Sequence, residues 1–425
     1  MFDGEYSLDP DAASETTFVP ESSLSLKNSS SLPQLALISR LCNGAKFEGD
    51  THGLSILERK IKGDPTDTAV LRFAEESLHK CLSTPESTDL LPLLSESFKK
   101  TFEIPFNSRN KWMMSIIQEH DKSGSTQPWM LIKGAPDVLS PAVSYILDST
   151  GAAVPFGHAQ RDRLSRLQNQ WSSEGQRVIA VCKRSLDAMK LSSDETELEE
   201  TLYNELQDLT LVGLIGIRDP PRADVKEAVK IIRAAGVRIF MVTGDFMITA
   251  LAIAKQVCLY LRHSWRYTYY MLLQVGIISQ DRYDTIDNLS QSEASSDVEK
   301  TTKESKGIEV SIRAVADMKP QDDDPIRALV LTGDDLEKLS TADWDTILAD
   351  YTEIVFARTT PDQKMLIVEE TKKRGDNIVA VVSFQFYFFT YPHFLIWEQT
   401  GDGVNDAPAL KASDIGIAMG RYVHF

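Results

Sequence analysis

Three short stretches place oxygen ligands and a cation where a phosphoryl group could be held. Thr243-Gly244-Asp245 ends the apolar run VRIFMV with a hydroxyl, a flexible glycine and a carboxylate. RTTPDQK at 358–364 follows the apolar run EIVFA. There Thr360 and Gln363 have the spacing of a capping box and Pro361 falls at the first helical position, which aims Lys364 from the first turn as a cation able to neutralise a transferring phosphate. GDGVNDAP at 401–408 sets Asp402, Asn405 and Asp406 on a glycine-flanked turn expected to enter a helix at Pro408, and hard oxygen donors crowded in this way suit Mg2+. Taken singly, each stretch is a plain turn or cap more often than a site, and LTGDD at 331–335 is read as such a turn. In this order, on successive strand ends, the three point to one site.

Such a site needs a parallel sheet, because ligands of open α/β sheets bind beyond the carboxyl ends of the strands. From residue 208 the chain alternates accordingly: LTLVGLIGI, a helix around ADVKEAVKIIRAAG, VRIFMV, a helix around ITALAIAKQ, then RALVLTG, EIVFA and NIVAV. Residues 280–325 are rich in Ser, Asp, Glu and Lys and predict a mobile surface loop. Before residue 208 the pattern is mixed. GDPTDTAVLRFAEESL predicts a capped helix with Ala69, Val70, Phe73, Ala74 and Leu78 on its apolar face, and strands are predicted at KTFEIPF, KWMMSII and QPWMLIK. QEHDKSGST between the last two has the composition of a hairpin turn, which puts Asp121 at a solvated loop tip. Residues 1–31 predict a flexible leader, 32–207 a first domain and 208–425 a second.

The formal charge of −17 repels nucleic-acid backbones and anionic lipid, so nucleic acid is excluded as a partner. The four cysteines are scattered without a C-x-x-C pair, as expected of reduced cytosolic thiols, and the acidic start of the chain has no secretory signal.

DPPR at 219–222, MVTGD at 241–245, VFARTTPDQK at 355–364 and TGDGVNDAPALKASDIGIAMG at 400–420 together resemble the cytoplasmic part of P-type cation-transporting ATPases. GDPTDTA, FEIPFNSRNKWMMSI and KGAPD extend the resemblance to their nucleotide-binding domain, with the wording of PFNSRNKW similar to the sodium/potassium and proton/potassium pump branch. The resemblance implies an α/β fold: a mixed α/β nucleotide-binding domain, then an incomplete phosphorylation domain of the haloacid-dehalogenase type with a parallel sheet. It implies ATP and Mg2+ as cofactors. Phe106 would stack on adenine, Lys111 and Lys133 would line the pocket, Arg177 and Arg222 would join the nucleotide site, and Asp67 stands where the family has Glu. Asp402 would bind Mg2+ with Asn405 and Asp406 in support, Lys364 would contact the phosphoryl group, and Thr243 and Gly244 would bind its oxygens, with Asp245 beside them among the catalytic candidates. Phe246 and Met247 replace the His-Pro that commonly follows MVTGD.

The resemblance also implies parts outside this sequence: the phosphorylated aspartate of a Asp-Lys-Thr-Gly-Thr stretch, the transmembrane helices, the ion site and the actuator domain. Asp121 in DKSGST is similar to that aspartate in wording, but it falls inside the nucleotide-binding part, after Phe106 and before Lys133. The intact pump is expected in the plasma membrane, and the chain alone in the cytosol. Residues 257–274 and 382–399, each 18 long, interrupt the resemblance. Their Val-Cys or Val-Ser starts and Gln ends can be encoded by intron boundaries, and the resemblance stops again at Gly420-Arg421; the expectation is a gene model with two unspliced introns and a third at its end. Two other readings stay open from the sequence: a non-catalytic ATP-binding regulator, and a soluble phosphatase of the same fold.

Overall fold

The computed structural model describes residues 24–27, 29–49, 54–85, 90–120, 126–186, 194–219, 225–259, 285, 328–374, 377–383 and 403–418. The first part contains helix α1 (Ser31–Leu41), strands β1 (Lys46–Phe47) and β2 (Ile61–Lys62), helices α2 (Pro65–Leu82) and α3 (Leu90–Ser97), and strands β3 (Phe98–Asn107), β4 (Trp112–His120) and β5 (Thr126–Gly134). Helix α4 (Pro136–Leu139), strands β6 (Val143–Leu147) and β7 (Ala153–Pro155), helix α5 (His158–Ser173), strand β8 (Gln176–Ser185), helix α6 (Glu195–Asn204) and strand β9 (Leu209–Arg218) complete it. Seven of these strands form one mixed sheet in the order β3-β4-β5-β8-β9-β6-β7.

Alternation along the central strands explains why both faces of this sheet are covered. Met113, Ile117, Trp129 and Leu131 enter one core with α1 and α2, whereas Trp112, Met114, Ile116, Met130 and Ile132 enter a second on the opposite face. Helix α2 starts where its sequence requires: the Asp64 side chain accepts from the Asp67 N–H, and Pro65 is the first helical residue. The three strands read from the sequence are β3, β4 and β5, and β4 and β5 pair antiparallel out to His120 and Thr126, so Asp121, which lies outside the described residues, falls within that hairpin connection.

Two expectations for the first part change. Residues 209–218 are a strand as predicted, but β9 pairs antiparallel with β8 and parallel with β6 in the first sheet rather than joining the parallel one. A strand with both faces covered shows a near-continuous apolar run in either setting, so composition alone cannot assign its sheet. The leader is held earlier than residue 31: Leu26 is fully buried, and its N–H donates to Glu119 Oε1 at 3.1 Å. Lys183 Nζ donates to the Leu26 carbonyl and to Gln34 Oε1, which fastens the segment to the sheet.

The second part comprises helix α7 (Val225–Ala234), strand β10 (Ile239–Val242), helix α8 (Met247–Leu259), strand β11 (Ala328–Thr332), helices α9 (Gly333–Leu336) and α10 (Thr341–Asp350), strand β12 (Glu353–Ala357), helix α11 (Pro361–Lys372), strand β13 (Ala380–Ser383), helix α12 (Gly403–Ala412) and strand β14 (Ile415–Ala418). β12 lies between β10 and β11, all parallel, and β13 pairs parallel with β14. Large residues, Leu329, Leu331, Ile354 and Phe356, face one side of the three-stranded sheet. The other side presents the smaller Ala328, Val330, Val355 and Ala357, where Ala250 and Ala254 of α8 pack. The expected class, a mixed α/β unit followed by a parallel α/β unit, is what the structure has. LTGDD is a cap, as read: Thr332 and Asp335 cap α9. The helix expected to begin at Pro408 begins instead at Gly403 and carries Pro408 within it. The 280–325 loop, apart from Thr285, and most of both inserts lie outside the described residues, while residues 257–259 end α8 and 382–383 end β13.

Candidate functional site

The phosphate-loop candidates sit together at the carboxyl ends of β10 and β12. The Thr243 hydroxyl donates to Asp245 Oδ2 at 3.0 Å and accepts from the Asp245 N–H at 3.1 Å. The loop after β12 is stitched to it: the Arg358 N–H donates to the Asp245 carbonyl at 2.9 Å, and the Thr359 N–H and hydroxyl both donate to the Thr243 carbonyl, at 3.1 and 2.9 Å. Parallel pairing of β10 with β12 puts these two loops side by side. The predicted capping box is formed, with the Thr360 N–H donating to Gln363 Oε1 at 3.0 Å and the Gln363 N–H to Thr360 Oγ1 at 3.3 Å. Gln363 also donates to the Gly333 carbonyl at 3.0 Å, and a Cβ on Gly333 would stand 2.5 Å from Gln363 Oε1, so glycine is required where α9 approaches.

Each candidate cation with a described ion pair is held by a candidate carboxylate. Lys364 Nζ lies 2.5 Å from Asp406 Oδ1, Lys133 Nζ lies 2.6 Å from Asp67 Oδ1, and Arg177 holds Asp245 Oδ1 from Nη2 at 2.7 Å and Nε at 3.0 Å. The third Arg177 nitrogen, Nη1, donates to Thr66 Oγ1 at 2.9 Å. Burial opposes charge on Asp245, yet Arg177, the Thr243 hydroxyl and Lys364 together hold its carboxyl below the usual range. Asp245 in turn raises Arg177, and burial raises Asp219 and Asp64, whose charges also act on this guanidinium.

Two of the nucleotide-side candidates, Arg177 and Lys111, reach the same loops. β3 and β4 are joined by a turn in which Lys111 has φ 61°, a left-handed conformation uncommon for a residue with a side chain; its N–H donates to the Asn107 carbonyl at 2.7 Å. Lys111 Nζ reaches 3.9 Å from the position a Cβ would take on Gly244, which brings this candidate cation onto the Thr243–Asp245 loop. Gly134 lets the end of β5 approach this turn, since a Cβ there would stand 2.6 Å from the Lys111 carbonyl oxygen. Phe106 is 51% exposed at the end of β3. Asp67 accepts the Gly44 N–H at 2.8 Å on its second oxygen.

Arg222 and Asp402 lie outside the described residues, as does the Asn405 side chain. Among the described residues no group of three or more His, Cys, Asp or Glu could hold a metal ion. The oxygen of Asp406 is the described part of the predicted Mg2+ set, and its Lys364 partner supplies a cation beside it. Sequence reasoning gave no role to Thr66, Asp219, Asp137 or Arg109, because each meets its partner only through the tertiary fold.

Residues 31–224 match the family model of the P-type ATPase cytoplasmic domain N. Over 394 residues the chain is 32% identical to the sodium/potassium-transporting ATPase subunit alpha-A of Artemia franciscana, which covers 93% of this chain and 32% of that protein. It is 35% identical over 395 residues to the sodium/potassium-transporting ATPase subunit alpha of Tetronarce californica, and 34% identical over 394 residues to the potassium-transporting ATPase alpha chain 2 of Cavia porcellus. Those matches cover 93% of this chain, 32% of the former protein and 31% of the latter, so the chain spans about a third of the length of the curated relatives it matches. Among the described residues no helix is long and apolar enough to cross a membrane. The chain belongs to the P-type ATPases, with their cytoplasmic domain N in its first half and sodium/potassium pump alpha subunits among its relatives.

Proposed function

We propose that this chain is the ATP-binding cytoplasmic portion of a P-type cation pump, which in its intact form resides in a membrane and couples ATP hydrolysis to cation movement. The observation that carries the reading is the meeting of the two halves of the site: Lys111 reaches Gly244, and Arg177 reaches Asp245. In this account Phe106 stacks on adenine, and Lys111, Lys133, Arg177 and Arg222 attend the phosphates. Thr243, Gly244 and Lys364 receive the transferring phosphoryl group, in a second domain of the haloacid-dehalogenase type whose boundary with the first follows β9.

Asp402, with Asn405 and Asp406, would hold Mg2+, which when bound neutralises charge on the phosphate oxygens. An incoming triphosphate competes with the Asp245 carboxylate for the Arg177 fork, since a guanidinium binds carboxylate and phosphate in the same bidentate manner. Equilibrium dialysis with labelled ATP tests the reading. The parent chain should bind ATP in preference to GTP, and Phe106→Ala should lose about tenfold or more, as loss of a base stacked on an aromatic ring costs ~1–3 kcal/mol. No binding by the parent, or equal binding by Phe106→Ala, would contradict it.

A further inference from the structure

Among the described residues, three ion pairs cross between the mixed-sheet unit and the parallel-sheet unit: Arg177 with Asp245, Arg109 with Asp362, and Asp137 with Arg358. Their direction alternates, the first unit giving the cation in two pairs and the anion in the third. Arg109 and Asp362 are 71% and 66% exposed, so solvent screens their attraction. Asp137, 36% exposed, and Arg358 are better shielded than that pair. The Arg358 side chain is 19% exposed, its guanidinium lies 5.5 Å over the Phe246 ring, and one of its nitrogens contacts both carboxylate oxygens of Asp137.

The backbone at Arg358 is itself committed to this contact. It has φ 57°, in the left-handed region, and its N–H is tied to the Asp245 carbonyl at 2.9 Å. A conformation of that kind persists only where its surroundings hold it. On the other side, Asp137 sits in the first turn of α4 and accepts from Gln168 Nε2 of α5 at 3.2 Å, so both partners are oriented before they meet. A neutral contact runs alongside, with the Thr249 hydroxyl of α8 donating to the Gln176 carbonyl of β8 at 3.0 Å.

We propose that Asp137 and Arg358 form a positioning clasp that sets how closely the Lys111 and Arg177 face sits over the Thr243–Asp245 loop. What the closure serves rests on the function proposed above; whether it exists does not, and it is measured without nucleotide. In the full chain with Cys258→Ser, a donor and an acceptor placed through Lys99→Cys and Glu337→Cys, both exposed and away from the interface, report the separation of the two units by energy transfer.

Asp137→Arg and Arg358→Asp should each lower transfer, weakening closure about three- to tenfold, and the joint swap should restore it. Asp137→Asn and Arg358→Gln, which keep the side-chain volume, should fall between parent and reversal if a reversal variant fails to fold. Parent-level transfer in the single variants, or a joint swap no better than either single change, would overturn the clasp. Loss of transfer in the single variants of a chain that binds no ATP would leave the clasp standing and remove the proposed function instead.

Discussion

The Arg177 guanidinium crosses from β8 to the end of β10 and holds a single carboxylate oxygen, Asp245 Oδ1, at 2.7 and 3.0 Å. The pair is therefore a bridge between the two units and, in the proposed function, holds the guanidinium that a phosphate would compete for.

The bridge has a defined acid limit. Asp245 has its carboxyl below the usual range in the folded chain, so its contribution is fully present above its ordinary pKa of 3.8 and is lost as pH falls through the lower folded value. Urea unfolding of the parent between pH 5 and pH 3 should show a steeper loss of stability than that of Arg177→Gln, in which the guanidinium that holds the carboxylate is gone. Parallel curves would contradict the assignment.

Lys183 gives a slope of the same sign at alkaline pH. Burial lowers it from 10.5 to about 8 in the folded chain, while Glu119 partly offsets the shift. The unfolded chain therefore binds more protons between about 8 and 10.5, and stability rises with pH across that window, by at most ~3 kcal/mol. Lys183→Met should flatten the rise. The same variant removes the donor to the Leu26 carbonyl, so amide exchange at residues 24–27 should accelerate with it.

Glu75 is a buried carboxylate shared by Arg40 at 3.0 Å and Arg59 at 3.6 Å, with His79 at 3.9 Å. Replacing it with Ala leaves buried positive charge without its counter-ion and should destabilise the first unit by roughly 3–5 kcal/mol, read from the urea midpoint. A change below about 1 kcal/mol would mean that water reaches the cluster.

Thr360→Ala removes the side chain that accepts the Gln363 N–H and should cost about 1 kcal/mol of stability in thermal unfolding. Because the same cap aims the first turn of α11, it should also loosen the Lys364–Asp406 pair, seen as greater exposure of Lys364 to amine-reactive label.

The parts of this molecule that were legible in the sequence are local ones. The Thr360–Gln363 box and the Asp64 cap involve residues three apart, and the β4–β5 hairpin follows from alternation on either side of a polar turn. The parallel setting of β10, β11 and β12, though not their order, is also readable, because strands alternating with helices imply a parallel sheet. What could not be read depends on distance along the chain. The sheet that β9 joins is not encoded locally, because an apolar run looks alike in both. The partners of Arg177 and Arg358 stand 68 and 221 residues away, and no periodicity encodes such a meeting. The left-handed turns at Lys111 and Arg358 went unseen for a related reason: neither is a glycine or an asparagine, so only the packing around them specifies the conformation.

The most direct measurement is calorimetric titration of Mg-ATP into the parent chain, Arg177→Gln and Asp245→Asn. If phosphate and Asp245 compete for one guanidinium, Arg177→Gln should weaken binding about tenfold or more, whereas Asp245→Asn, which removes the competing charge, should tighten it. Equal weakening by both substitutions would show that the Arg177–Asp245 pair only supports the fold, and the account of the site would fail with it.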